Sequence, residues 1–220
     1  MTVRMDELSH LNEMLLKMAA LVEASIKSSV ESLVDRESEL ARQVIKEDHS
    51  INALDVKIDE ECVRLLALKQ PMGKDLRVIT TAMKITTDLE RIADNAVNIA
   101  ERAVELNQEP MLKPYIDIPR MSRIVQGMVR DTIDAFVNEN VELAKDVIMR
   151  DDSVDDLNEM VWKELVLIMT QDPSTVSRAV KITYVSKYLE RIGDHATNIA
   201  ETVVYMVRGK IIRHMMPDQI

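Results

Sequence analysis

Residues 89–101 read LERIADNAVNIAE and residues 189–201 read LERIGDHATNIAE, so 10 of 13 positions are identical at an offset of 100 residues. A self-match of this kind indicates that the 220-residue chain is a duplicated unit. Each copy carries a Glu and an Asp four positions apart, Glu90 with Asp94 and Glu190 with Asp194. Residues four apart lie on the same face of a helix, so each copy places two carboxylates side by side.

The composition predicts an all-α fold. Hydrophobic residues make up 46% of the chain and charged residues 30%, with only four Gly, six Pro and 3% aromatic residues. Such a chain lacks turn formers and aromatic strand formers, and it favours long helices.

Apolar residues recur with a spacing of three and four in six segments, which predicts helices over residues 6–34, 39–69, 74–106, 120–137, 141–169 and 175–207. The segment EPMLKPYIDIP holds three prolines in eleven residues and interrupts the helical period. We therefore predict two tandem, pseudo-symmetric three-helix bundles. The predicted divisions are a first repeat over residues 1–108, a proline-rich linker over 109–119, a second repeat over 120–210 and a C-terminal tail over 211–220.

The charge of the chain argues against nucleic acid as a partner. Lys and Arg number 28 against 38 Asp and Glu, which gives a net charge of −10 and repels phosphate backbones. The single cysteine, Cys62, lies in an apolar helical context and is predicted to be a buried thiol. The sequence contains no run of 18 apolar residues and no secretory leader, so we expect no membrane insertion and a cytoplasmic location.

The acidic residues of the first repeat match in height across a predicted helical hairpin. Asp48 and Asp94 are equally far from Pro71 along the chain, one before it and one after it. The same equality holds for Asn52 and Glu90, which lie closer to the turn. Residues equidistant from the turn of an antiparallel pair meet at equal height.

The second repeat shows the same coincidence about Pro173. Asp151 before the turn and Asp194 after it lie at nearly equal distances along the chain, and so do Asp155 and Glu190. A solvated helix face has no reason to keep acidic residues aligned across two helices.

Carboxylates brought to one height repel one another unless they are protonated, paired with cations or bridged by metal ions. Oxygen-rich sets favour Mg²⁺, Mn²⁺ or iron over a structural zinc with thiolates. His49 and His195 lie nearby and could supply nitrogen, but His49 has no histidine counterpart in the second repeat, so neither is included. The predicted metal ligands are Asp48, Asn52, Glu90, Asp94, Asp151, Asp155, Glu190 and Asp194. The competing interpretation is a solvated face on which Arg91 and Arg191 pair with Asp94 and Asp194.

The two signature segments, the stretch KIDEECVRLL at residues 57–66 and the turn at Gln70 and Pro71 resemble the PhoU family of bacterial phosphate-signalling regulators. The resemblance extends from the first helix to about Gly209. Its most specific part is the duplicated ExxxD motif.

This resemblance implies a regulator that forms homodimers and restrains phosphate uptake and the phosphate-starvation regulon. It also implies two partners, the ATPase subunit of a phosphate ABC transporter and a membrane-bound sensor histidine kinase. Some family members bind multinuclear iron or other metal clusters through E/DxxxD motifs. Asp48 with Asn52 departs from that motif, because a neutral amide replaces the second carboxylate.

Three classes of function follow. The first is a non-enzymatic cytosolic regulator whose metal-binding acidic stripes shape a docking face. The second is a di-metal carboxylate enzyme, which usually needs a Glu-x-x-His pair that the signature helices do not contain. The third is a helical scaffold without metal. No Gly-rich loop or Arg cluster marks a site for inorganic phosphate.

Overall fold

The computed structural model describes residues 5–210 as an all-α protein, and within this range it contains no strand. The helices are α1 (Met5–Val34), α2 (Ser38–Lys69), α3 (Gly73–Leu106), α4 (Asp117–Val137), α5 (Val141–Gln171) and α6 (Val176–Arg208), with a 3₁₀ turn at Pro173–Thr175 before α6. The predicted fold class, two tandem pseudo-symmetric three-helix bundles, is confirmed. The predicted tail at 211–220 lies outside the described residues, and the boundaries of the two repeats stay a prediction.

The helix ends follow local chemistry. The side chain of Asn140 accepts a hydrogen bond of 3.1 Å from the backbone N–H of Leu143 and caps the start of α5. Gly209 has φ of +68°, a conformation that glycine adopts without strain, and it ends α6. The helix α4 begins at Asp117, three residues before the predicted start at 120. Pro119 stands in its first turn, where the missing N–H has no intrahelical partner to lose.

The two bundles share one hydrophobic core. Each repeat packs its three helices together, and α1 contacts α4 while α3 contacts α6 between the repeats. Most apolar positions of the two signature segments are fully buried, among them Leu89, Ile92, Ala96, Ile99, Leu189, Ile192, Ala196 and Ile199. Burying each Leu or Ile side chain stabilises the fold by roughly 1.5–3 kcal/mol. The apolar residues of the signature therefore stabilise the core at which α3 and α6 join the two repeats.

The helices α3 and α6 run antiparallel. Arg77, near the start of α3, donates a hydrogen bond of 2.9 Å from Nε to the carbonyl oxygen of Met206, near the end of α6. Arg130 of α4 pairs with Glu23 of α1 at 3.2 Å. Because both inter-repeat contacts join equivalent helices, the repeats are related by a pseudo-twofold axis.

Cys62 lies on the inner face of α2. Its side chain is 0% exposed, and burial raises the pKa of the thiol to about 12. The prediction of a buried thiol is confirmed. Within residues 5–210, none of the helices combines the length and the apolar character needed to cross a bilayer.

Candidate metal centre

The first acidic cluster consists of Asp48 and Asn52 on α2 with Glu90 and Asp94 on α3. Asn52 Nδ2 donates a hydrogen bond of 2.8 Å to Asp48 Oδ2. Partial burial and the negative charge of Asp48 raise the pKa of Asp94. Partial burial raises the pKa of Glu90, and the charges of Asp94, Asp55 and Asp48 raise it further. Charges act this way only at close range, so the acidic rows of α2 and α3 face each other.

The second acidic cluster consists of Asp151 and Asp155 on α5 with Glu190 and Asp194 on α6. Partial burial raises the pKa of Asp155, and the charges of Glu190 and Asp194 add to this effect. Asn158 Nδ2 donates a hydrogen bond of 3.1 Å to Glu190 Oε2 and links the two helices directly. The structure therefore brings the predicted side chains of each repeat together across its hairpin.

Asp151 has the most perturbed environment of the two clusters. Burial raises its pKa to about 7, and the charges of Asp194 and Asp155 contribute to the shift. Its Oδ1 atom is buried and makes no hydrogen bond of good geometry among the described residues, although the hydroxyl of Thr197 lies near enough to the carboxylate to lower its pKa. A Cβ atom at Gly193 would lie 2.8 Å from this oxygen. The equivalent residue of the first repeat is Ala93, so the second repeat leaves more room beside its central carboxylate.

The first cluster contains a matching unpaired oxygen. Asp48 Oδ1 is also buried without a hydrogen-bond partner in the part of the chain that the structure describes. Asp48 and Asp151 are equivalent in the duplication. A buried acceptor without a donor costs about 1–3 kcal/mol, and a bound cation would satisfy it.

The donors fit a hard cation in their chemistry. Together the clusters offer seven carboxylates and one amide, all oxygen ligands of the kind that Mg²⁺, Mn²⁺ and iron accept. In their present conformations, no three His, Cys, Asp or Glu side chains within residues 5–210 converge closely enough to hold one ion. Coordination would thus require the carboxylates to rotate toward a common point.

The neighbouring cations neutralise part of the negative charge. The ammonium group of Lys187 pairs with a carboxylate oxygen of Glu190 one helical turn away. The pKa of Asp194 is raised, chiefly by burial and by Glu190, although Lys187, His195 and Arg191 act in the opposite direction. Arg191 therefore lowers the pKa of Asp194 by less than the repulsion from Glu190 raises it.

The two histidines near the clusters make other contacts. His49 Nδ1 contacts the backbone oxygen of Lys46 on its own helix. His195 Nδ1 lies 2.9 Å from Asp88 Oδ1 on α3, so the pair joins the two repeats. Sequence reasoning missed the pair of Asp88 and His195. Counting residues from the turn of a hairpin aligns the two helices of that hairpin, but it does not predict how α3 aligns with α6. The only signal was a replacement within the repeat, His195 for Asn95.

Comparisons with known proteins agree with the duplication. The family model described as the PhoU domain matches residues 15–103 and 118–203. The phosphate-specific transport system accessory protein PhoU homolog of Aquifex aeolicus is 44% identical over 94% of this chain and 94% of its own length.

Two crystal structures share the fold. PhoU from Pseudomonas aeruginosa is 42% identical, covers 93% of this chain and 99% of its own, and superposes with a TM-score of 0.90. The phosphate transport system regulatory protein PhoU from Streptococcus pneumoniae is 27% identical, with coverages of 93% and 97% and a TM-score of 0.87. The chain therefore belongs to the PhoU family, which includes the phosphate-transport accessory proteins that it resembles.

Proposed function

We propose that the chain is a non-enzymatic, cytosolic regulator of phosphate uptake that negatively regulates the phosphate-starvation regulon. The observation that carries this proposal is the 44% identity, over 94% of the chain, to a phosphate-specific transport system accessory protein. The accessory and regulatory names of the relatives favour a role in control over a role in turnover.

The proposed partners are the ATPase subunit of a phosphate ABC transporter and a sensor histidine kinase. The resemblance to the PhoU family supports both partners, and it supports a homodimer as the working assembly. A protein that connects these partners conveys the activity of the transporter to the kinase. The kinase then keeps the regulon silent while phosphate is plentiful.

The proposal includes metal binding at both acidic clusters. Asp48, Glu90 and Asp94 with the amide of Asn52 would hold a cation in the first repeat. Two supporting observations are the mutual repulsion of the carboxylates and the unpaired buried oxygens of Asp48 and Asp151. When bound, the cation supplies positive charge that cancels this repulsion.

The clusters differ in the charge they offer a cation. The four carboxylates of the second cluster, Asp151, Asp155, Glu190 and Asp194, would bind the cation more tightly than the three carboxylates of the first. Lys187 would release Glu190 as the ion enters. Either cluster would then hold its two helices together more firmly than in the metal-free state.

A regulon reporter tests the regulatory role. A strain that lacks its own PhoU homologue and carries a reporter of the phosphate-starvation regulon is complemented with this chain. We expect reporter activity in high phosphate to return to the repressed level, with normal induction in low phosphate. A reporter that stays fully active, although the chain accumulates as a folded protein, would contradict the proposal.

A further inference from the structure

A groove lined with aromatic side chains opens between α5 and α6 in the second repeat. Its volume is about 490 Å³, and its lining residues are Asp155, Asn158, Glu159, Trp162, Thr183, Tyr184, Lys187 and Glu190. Trp162 and Tyr184 are each 51% exposed. The ring of Tyr188 stacks beside that of Tyr184, with centroids 6.2 Å apart. Three of the six aromatic side chains of the whole chain therefore lie at this one surface.

The aromatic residues continue an apolar stripe along α6. Val176 and Val180 precede Tyr184 at intervals of four residues, and they are 43% and 40% exposed. Side chains four apart share a helix face, so within residues 5–210 the stripe presents an apolar face that no other helix covers. Exposed apolar surface of this kind, with aromatic anchors, is typical of sites at which another protein docks.

The first repeat shows that the bundle does not need these aromatic side chains. The duplication places Asp59 where α5 has Trp162, and Lys84 where α6 has Tyr184. Lys84 in turn lies with its ammonium 5.9 Å from the ring centre of Tyr205. The same hairpin therefore forms with polar residues at these positions, and the aromatic pair is specific to the second repeat.

The charge of the groove indicates what binds there. Its lining contains three carboxylates, Asp155, Glu159 and Glu190, and one ammonium, that of Lys187. Lys163 pairs with Glu159 at 2.8 Å from outside the lining, so the three carboxylates face two lysines and one negative charge remains. The faces of Trp and Tyr rings attract cations, and neighbouring carboxylates strengthen that attraction. We assign this acidic groove to a basic segment and not to the interface of the proposed homodimer, because a second copy has a net charge of −10.

We infer that the groove between α5 and α6 binds a short basic, amphipathic segment of a partner protein. An Arg or Lys side chain of this segment enters between Trp162 and Tyr184, and its apolar side chains lie along Val176 and Val180. The inference concerns the metal-free protein, because a cation held by Asp155 and Glu190 would cancel part of the negative charge that attracts the segment.

Peptide binding in the presence of a chelator tests this assignment. The probe is a labelled helical peptide of about 16 residues, with Leu on one face and Arg on the other, and without aromatic residues. The matched peptide carries Glu in place of every Arg. We expect saturable binding of the Arg peptide, with a shift in the emission of Trp162, and no binding of the Glu peptide.

The decisive variant carries Trp162→Asp and Tyr184→Lys, which transfers the surface of the first repeat to the second. Affinity for the Arg peptide should fall roughly tenfold or more, with unchanged circular dichroism. The matched control, Asp59→Ala with Lys84→Ala, should bind as the wild type does.

Three results would overturn the inference. The first is equal affinity of the wild type and the Trp162 and Tyr184 double variant. The second is saturation by the Arg peptide without any change in Trp162 emission, a measurement that needs no variant. The third is a wild-type dimer in sedimentation that the double variant abolishes, since a second copy would then cover the groove.

Discussion

The main chain of Gly193 approaches the carboxylate of Asp151 so closely that an added Cβ atom would lie 2.8 Å from Oδ1. The fold accepts alanine at the equivalent position of the first repeat, Ala93, which is fully buried. Gly193 therefore matters for the position of the Asp151 carboxylate, whereas the backbone of α6 does not require a glycine there.

Replacing Gly193 by Ala should move Asp151 without unfolding the protein. Alanine stabilises a helix interior by up to about 1 kcal/mol relative to glycine, which offsets the displacement of one carboxylate. We expect the free energy of unfolding in chelator to change by less than about 1 kcal/mol, while metal affinity at the second cluster falls roughly tenfold. Denaturant titration and isothermal calorimetry measure the two quantities. An Ala93→Gly variant is the control, and a large loss of stability without loss of affinity would contradict this explanation.

Removing the carboxylates of one signature should remove bound metal. In the Glu190→Ala and Asp194→Ala double variant, we expect the metal content to fall while the helical circular dichroism stays intact. The Glu90→Ala and Asp94→Ala variant should lose less, because the first cluster already has an amide in place of one carboxylate. Elemental analysis of the purified proteins checks this. A metal stoichiometry that is the same in the wild type and the Glu190 double variant would refute the ligand assignment.

The metal-free protein should lose stability as the pH rises from about 4 to above 7. Burial raises the pKa of Asp151 from 3.8 to about 7. Between these pH values the folded state holds a proton that the unfolded state has released. The stabilising contribution of protonated Asp151 is therefore complete at low pH, and it is lost as the pH rises through the pKa of the folded state. The Asp151→Asn variant should lack this dependence. Over this pH range, the difference in the free energy of unfolding between the wild type and Asp151→Asn should change by about 2 kcal/mol. This value is smaller than the full pKa shift implies, because the carboxylate is partly solvated.

Chemical denaturation in chelator at several pH values gives this difference. Asp151→Asn should be more stable than the wild type at pH values above the raised pKa. A constant difference across the range would show that Asp151 is ionised throughout.

The pair formed by Asp88 and His195 should couple α3 to α6. Their side chains are 16% and 18% exposed, and the hydrogen bond is 2.9 Å long. A double-mutant cycle with alanine at both positions should give a coupling energy of about 1 kcal/mol, typical of a partly buried hydrogen bond. The pair of Glu159 and Lys163, 61% and 63% exposed, is the control and should couple by less than about 0.5 kcal/mol. Equal coupling in the two pairs would rule out a specific role for His195.

The sequence predicted the fold because one pattern, repeated at a fixed offset, determined both halves. The helix ends were less accessible. The proline-rich segment led us to place the start of the fourth helix at residue 120, yet α4 begins at Asp117 because Pro119 fits the first turn.

The candidate site was predictable where it depended on a single hairpin. Equal distances from Pro71 placed Asp48 opposite Asp94, and partial burial together with the charge of Asp48 raises the pKa of Asp94. Contacts between the repeats were not predictable in this way, because the register of α3 on α6 results from packing of buried side chains. The pair of Asp88 and His195 belongs to that class.

The single thiol of the chain provides a chemical measure of how often the first repeat opens. Cys62 is 0% exposed and its pKa is about 12, so a maleimide or disulfide reagent can attack it only after α2 separates from its neighbours. The modification rate therefore reports the free energy of that local opening. Because the second repeat contains no cysteine, the reaction reports the opening of the first repeat alone.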